Sequence, residues 1–453
     1  MQRARRDHAR HAAVSSRPLE ELPVRRLGAD DVAMGRVALL QAEASLLDGP
    51  VVNGAIPGAH HGGRCAFLVG VDALDFAYGE GRANLSSADG WLPLIGRRFG
   101  RAVINSDEPD HAVERRQWGP LFTTTGLTRA LPVADGVVTR AVASWRRDGT
   151  VDAYAQARAL SFTVMAQALA GIDDAHRAAR LGGAFAAVLD GPKAGESPDD
   201  CQRRLAPIRS GLEQDLAAGV AALRAAGPDA TGLVPLLLRA VPTLDDAALV
   251  RHVGVLMVAG HETTGSLLAR VLLALCDHPV WQTRLATEAT AAMPGGSVAL
   301  PTLEAVPLAD AFVTEVARLH PSLLNAPRIA TRSFAFAGIR IAAGHPVALA
   351  IGATQRLAAS FASPETFDPA RFLGNDVRMR SPPILTFATG ARYCLGARFA
   401  MLEAKLVIAR VLAQVRVVRA APGASCDTGF WNARPRGALD IRLLPRVPDP
   451  AAA

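Results

Sequence analysis

Cysteine is scarce in this chain. Five occur among 453 residues, Cys65, Cys201, Cys276, Cys394 and Cys426, far apart and with no CxxC. That spacing excludes a disulfide framework and a tetrahedral zinc site, and it fits a reducing cytoplasm. The cysteines also form no cluster able to hold an iron–sulfur centre, and no glycine-rich nucleotide fingerprint follows a strand. A fused electron-transfer module is therefore not expected. The N-terminus "MQRARRDHARHAAVSSRP" lacks an apolar core, which excludes a Sec signal and an N-terminal membrane anchor. It is basic and poor in acids, as transit peptides are, but reads as a disordered tail. No internal repeat appears, and no low-complexity block beyond the alanine-rich end.

What is present is hydrophobic residue, half of the chain, enough for a large core. Charged residues make up 20% and are spread along it, against long disordered segments. The net charge of +7 comes mostly from dispersed arginine. That describes an arginine-rich surface better than a nucleic-acid site, and it suits an acidic protein partner. The strongest apolar run, "ALVRHVGVLMVAGHETTGSLLARVLLALC", is interrupted by His261 and Glu262. A charged pair at mid-depth is costly in lipid, so the run predicts a helix buried in protein. Thr243 can cap it, with Asp246 completing the box, and Pro279 stops it after Cys276.

A short strand is expected over Cys65–Val69, and mostly helix from Pro109 to Ala226, with a loop at "DGPKAGESPDDCQRR". Another helix covers about Leu308–Leu319. "NAPRIATRSFAFAGIRIAAGHPVALA" alternates like short strands, a last long helix runs from near Leu395 to Val415, and "GALDIRLLPRV" reads as a strand.

Within "TFATGARYCLGARFAMLEAK", Cys394 stands at the entry to a helix, where backbone N–H groups and the helix dipole favour thiolate. Gly390 and Gly396 allow close approach of something flat, and Arg392 can meet an anion. Such a loop suits axial ligation of haem iron, although one cysteine alone reads first as a buried structural thiol before a helix. The run "FATGARYCLG" resembles the haem-binding loop of the cytochrome P450 family, F-x-x-G-x-R-x-C-x-G, matching at Phe387, Gly390, Arg392, Cys394 and Gly396. It departs at Ala388, where many members have glycine.

Further stretches follow in family order. "VAGHETTG" resembles the oxygen-binding segment of the long helix, with Ala259 and Gly260 as small residues beside the macrocycle and Glu262–Thr263 as the acid–alcohol pair. "EVAR" and "PETFDPARF" imply a buried structural network of Glu315, Arg318 and Arg371. "DEPDHAVERRQW" and "APRIAT" supply His111, Arg115 and Arg328, which with Arg392 would hold the haem propionates; Arg116 reads as surface. The resemblance spans roughly Arg64 to Val447.

It implies a mainly α (α+β) cytochrome P450 fold, helix-rich with small β-sheets, with haem b buried between the long helix and the cysteine loop. Residues 1–60 are expected as a partly disordered N-terminal extension, and residues 61–453 as a single haem-thiolate monooxygenase domain. The implied reaction inserts one oxygen atom from O2 into a lipophilic small molecule, a secondary metabolite, fatty acid or isoprenoid. Electrons would come from a separate ferredoxin or flavodoxin with its reductase, docked by Arg378, Arg380, Arg392 and Arg398. A cytoplasmic monomer with no membrane span and no nucleic-acid partner is expected. Thr263 would face the dioxygen, and Glu262 would rotate between solvent and site as a proton carrier. Substrate contacts are expected at residues 85–104, at Phe185 to Leu189, at Met257, Val258 and Ala259, at Leu323 and Leu324 on the way to Pro327, and at Phe430 and Trp431. No anion clamp stands out at any one spot. A peroxide-driven peroxygenase usually loses the acid–alcohol pair retained here, and a haem or gas sensor would be expected to carry a signalling domain.

Overall fold

A computed structural model of the chain describes residues 16–55, 63–191, 196–227, 232–241, 244–293, 296–374 and 384–446. Its core is helical. The helices that position the site are α1 (Asp110–Trp118), α2 (Thr124–Asp148), α3 (Ala153–Val164), α4 (Ala175–Asp190), α5 (Pro198–Ala226), α6 (Asp246–Asp277), α7 (Pro307–Leu319) and α8 (Ala397–Leu412). At 32 residues, α6 is about 48 Å long and crosses the bundle. Its sides are buried nearly all round, as a helix with apolar residues on every face must be. The cap is Asp245, whose carboxylate accepts from the Ala247 and Ala248 N–H groups, while Thr243 lies outside the described residues. The segment expected as a loop is shorter than expected. Ser197 caps α5 by accepting from Asp200, and Pro198 occupies the first turn, where its missing N–H costs nothing.

Against α6 lies α3, drawn close by small residues. A side chain at Gly265 would meet the Arg158 backbone at 2.9 Å, and one at Gly260 would meet Met165 at 2.7 Å. Gly260 thus serves helix contact on one side while it borders the site on the other.

The strand-rich part is smaller. A six-stranded sheet runs in the order Arg25–Arg26, Val51–Ala55, Arg64–Leu68, Pro346–Ala350, Asn325–Ala330, Leu85–Ser86. Arg17–Pro18 pairs with Ile339 and Arg340 in another sheet. The chain before residue 60 therefore supplies strands to both sheets. Among the described residues, no helix is long and apolar enough to cross a membrane.

A hairpin of Ser425–Thr428 and Arg434–Gly437 carries its turn toward α6. Asp427 holds it there: its carboxylate accepts from Arg270 Nε of α6 at 2.6 Å, and its other oxygen lies 2.6 Å from His320 Nδ1 at the end of α7. Burial alone would raise the Asp427 pKa. The His320 and Arg270 charges and bonds outweigh it and hold the carboxyl at about 2, below the ordinary 3.8. A folded pKa below the unfolded one stabilises fully above the unfolded value and is lost as pH falls through the folded value. The carboxylate should thus contribute about 2 kcal/mol at neutral pH that disappears between about pH 4 and 2. Urea unfolding of the native chain and of Asp427→Asn over that range checks this. The native chain should lose the extra stability on acidification, whereas parallel curves would refute the assignment.

Candidate active site

The loop before α8 is built from local backbone bonds. The Cys394 N–H donates to the Phe387 carbonyl at 2.8 Å, and Gly390–Arg392 form one 3₁₀ turn. Gly390 takes φ +59°, a conformation glycine adopts freely. Ala388, the departure from the family pattern, takes φ +58°, where a Cβ is strained by about 1 kcal/mol. The loop is fixed to its surroundings through Gln355, whose Oε1 accepts from the Leu385 N–H and the Thr386 hydroxyl.

Cys394 is followed by the first turn of α8. The Gly396 and Ala397 N–H groups point at its sulfur. Burial pushes the thiol pKa up; those two N–H groups and the nearby Arg115 guanidinium oppose it. Protein encloses the sulfur on most sides, and its exposure is toward a cavity of about 770 Å³. The other four cysteines do not line that cavity.

Facing the loop across this space is the middle of α6, with Val258, Ala259, Gly260, Glu262 and Thr263 on the wall. The Thr263 hydroxyl donates to the Ala259 carbonyl at 2.6 Å, and Ser322 Oγ donates to the Thr263 carbonyl at 2.7 Å. A hydroxyl so bonded diverts the regular ladder and loosens the helix there.

One rim of the cavity is cationic. His111, Arg115, Arg328 and Arg392 all line it. Arg392 donates through Nη2 to the Ser106 carbonyl, while its buried Nη1 has no acceptor. Burial lowers the Arg392 pKa to about 10, and the Arg328 charge adds to this against Asp107. Arg328 is buried, with its pKa also lowered first by burial, and donates to the Pro327 carbonyl. His111 is tied to Glu108 at 3.1 Å. A buried guanidinium with an unused donor, beside two more, calls for an anion. Among the described residues, no group of three or more His, Cys, Asp or Glu side chains converges to hold a bare metal ion. The arrangement therefore fits a metal that arrives with its own macrocycle. The cavity has a sulfur on one wall, small residues on the other and cations for two carboxylates at the rim, which is the donor set for haem b.

Several expected residues are placed elsewhere. Met257, Leu324 and Phe185 do not line the cavity; Met257 and Phe185 sit in the helical core and Leu324 under the sheet. Leu323, Phe430 and Trp431 do line it, as do Trp91, Ile95 and Leu189. Gly390 lies off the cavity, beside the Tyr78 carbonyl. Of the expected docking arginines, Arg392 turns inward and Arg398 is paired with Glu304 at 2.5 Å; Arg378 and Arg380 lie outside the described residues.

Glu262 departs most from expectation. It is buried, and it accepts from Arg158 Nε at 2.9 Å and from the Tyr154 hydroxyl at 3.0 Å, with Arg434 Nε at 2.7 Å. Both arginines also reach Asp190, the last residue of α4. A carboxylate with three donors is held rather than free to rotate. Tyr154, Arg158 and Arg434 stand in no motif, and only the folded contact of α3, α6 and the hairpin reveals them.

A family model described as Cytochrome P450 matches residues 230–425. The chain is 27% identical over 364 residues to cyclooctat-9-en-7-ol 5-monooxygenase of Streptomyces melanosporofaciens, covering 77% of this chain and 79% of that one. It is 30% identical over 340 residues to putative cytochrome P450 135B1 of Mycobacterium bovis (strain ATCC BAA-935 / AF2122/97), covering 72% and 70%. Among solved structures, it superposes on the haem domain of cytochrome P450DA with a TM-score of 0.81, at 19% identity over 96% of this chain and 98% of that one. Retinoic acid-bound cyanobacterial CYP120A1 gives 0.77 at 23% identity, over 90% and 94%. The structures establish the fold and the sequence relatives the lineage: the chain belongs to the cytochrome P450 family and is a haem-thiolate monooxygenase that uses haem b.

Proposed function

We propose that the chain inserts one oxygen atom from O2 into a lipophilic, isoprenoid-like small molecule, by hydroxylation or epoxidation, with electrons from a separate ferredoxin or flavodoxin and its reductase. The observation that carries this reading is the single cavity that has Cys394 on one wall and Thr263 on the other, with largely apolar residues between. Haem b, when bound, supplies the iron that activates dioxygen. Cys394 would hold that iron, and the Gly396 and Ala397 N–H groups, working against burial, would favour negative charge on its sulfur. His111, Arg115, Arg328 and Arg392 would hold the propionates. Ala259 and Gly260 would leave room at the wall, and Thr263, on the same wall, would offer its hydroxyl to O2. Glu262 keeps a hydrogen-bonded carboxyl group one residue away, and its partners Arg158 and Arg434 reach on to Asp190.

For the substrate class, Trp91, Ile95, Leu323, Phe430 and Trp431 offer apolar surface. A relative named for an alcohol, cyclooctat-9-en-7-ol, and a structural neighbour holding retinoic acid both favour a bulky lipophile.

Thr263→Ala tests the assignment of the alcohol. With saturating ferredoxin, reductase and a substrate found by spin-state screening, product formation per NAD(P)H should fall roughly tenfold to a hundredfold and peroxide release should rise. The reduced carbon-monoxide band should stay unchanged. Unaltered coupling would remove Thr263 from the role.

A further inference from the structure

The cavity carries a second group of cations, away from the rim that faces Cys394. Arg98, Arg434 and Arg436 all line it. Arg434 is neutralised by Glu262 and Asp190, and Arg436 is exposed to solvent. Arg98 is different. It is half-buried, on the short turn Arg97–Phe99, within the segment that roofs the cavity. Among the described residues its guanidinium has one acceptor, the Val188 carbonyl at 3.1 Å from Nη1, and no carboxylate partner. Beside it, Gly191 offers only backbone. Burial lowers its pKa, and the Arg209 and Arg434 charges push the same way against Cys201. The one carboxylate on the cavity wall, Glu262, is already occupied by Arg158, Arg434 and Tyr154.

A cation in a mostly apolar cavity needs an anion or water. With Arg434 paired to Glu262 and Asp190 and Arg436 in solvent, the uncompensated charge at this wall is that of Arg98, and it favours an anionic ligand. The planar fork of arginine matches a carboxylate with two parallel N–H groups. With Nη1 turned to Val188, the rest of the fork remains for such a partner.

We propose that Arg98 is a head-group anchor, and that the preferred substrates of this enzyme are lipophiles that end in a carboxylate. The acid would be held under the residue 85–104 segment beside the end of α4, and the hydrocarbon would run into the apolar space lined by Leu94, Ile95, Leu189 and Phe430. Recognition by a charged fork also gives selectivity. An ester or alcohol of the same skeleton leaves the guanidinium without its anion, and an unmatched buried charge weakens binding. This inference rests on the monooxygenase reading for its biological meaning, but its test requires only binding.

The test is a titration of the haem-loaded protein, read by the spin-state shift of its Soret band. The probes are hexadecanoic acid and retinoic acid, each compared with its own methyl ester. At least one acid should bind about tenfold or more tighter than its ester. Arg98→Gln should remove that preference by weakening the acid and not the ester, and Arg98→Lys should keep part of it. An intact reduced carbon-monoxide band in each variant shows that the haem site has survived. Equal binding of acid and ester for both skeletons, including no shift with any of the four, overturns the proposal. So does a preference that persists in Arg98→Gln. Loss of the carbon-monoxide band in the native chain would instead strike the monooxygenase reading.

Discussion

Cys394→Ser should abolish the thiolate carbon-monoxide band and oxygenase activity together, while the chain still folds. The serine hydroxyl is nearly the size of the thiol and can accept from the same Gly396 and Ala397 N–H groups, so the loop keeps its local bonds. What it cannot provide is a stable anion. Burial pushes the Cys394 thiol pKa up, two N–H donors and a guanidinium oppose that rise, and a bound metal would complete the deprotonation, since a thiol is far more acidic than an alcohol. An alcohol stays protonated under the same influences, so the electron donation that favours O–O cleavage is lost. Cys394→His supplies a neutral donor of greater bulk to the same loop and should likewise give no thiolate band. Product formation should fall to background in both, with far-UV circular dichroism unchanged and the melting temperature shifted by only a few degrees. No other cysteine lines the cavity. A thiolate band surviving in Cys394→Ser would therefore mean that the assigned ligand is wrong, because no substitute thiol stands nearby.

The sequence carried those parts of the site whose chemistry is local in the chain. The spacing of Phe387, Arg392 and Cys394 survives in a ten-residue loop because backbone bonds such as Cys394 N–H to Phe387 C=O form within it. The long helix was legible because thirty residues of continuous apolar pattern leave no other way to satisfy the backbone. His111, Arg115 and Arg328 were found only through family motifs, since nothing in their own spacing shows that α1 and the strand Asn325–Ala330 meet at one rim. The held state of Glu262 was illegible for a plainer reason. Its partners come from residues more than a hundred positions away on either side, and arginines scattered through an arginine-rich chain carry no individual signal. Arg98 was hidden in the same way. Met257 and Leu324, expected as substrate contacts, lie off the cavity because an apolar residue on a helix or strand flanking a cavity can point into it or away from it. A helix turns its side chains by 100° per residue, so Met257 faces the core while its neighbour Val258 faces the cavity.

Glu315→Ala should destabilise the fold by about 3–5 kcal/mol, the largest loss expected from any single truncation outside the hydrophobic core. Glu315 and Arg318 are both wholly buried on α7, with two short bonds between them, Nε to Oε2 at 2.7 Å and Nη2 to Oε1 at 2.8 Å. Glu315 Oε1 accepts further from the Asp368 N–H at 2.8 Å and lies 3.2 Å from Arg371 Nε. Removing the carboxylate leaves a buried guanidinium without its counter-charge, and that cost exceeds the worth of the pair itself. Arg318→Ala should cost as much, since Arg318 also donates to the Gln355, Pro364 and Thr366 carbonyls and those would lose their donor in a dry interior. Arg371→Ala should cost about 1 kcal/mol, because that side chain is partly exposed and the Glu315 carboxylate keeps its stronger partner. Chemical denaturation of the three variants gives this order directly, and a Glu315→Ala loss below about 1 kcal/mol would refute it. The effect should also reach the active site. The Arg318 carbonyl accepts from Gln355 Nε2, and Gln355 Oε1 in turn holds the Leu385 N–H and the Thr386 hydroxyl at the base of the Cys394 loop. A loosened Arg318 thus frees the loop that positions the sulfur. Glu315→Ala should release haem faster than the native chain at temperatures where both remain folded, a difference that a merely local cavity on α7 would not produce.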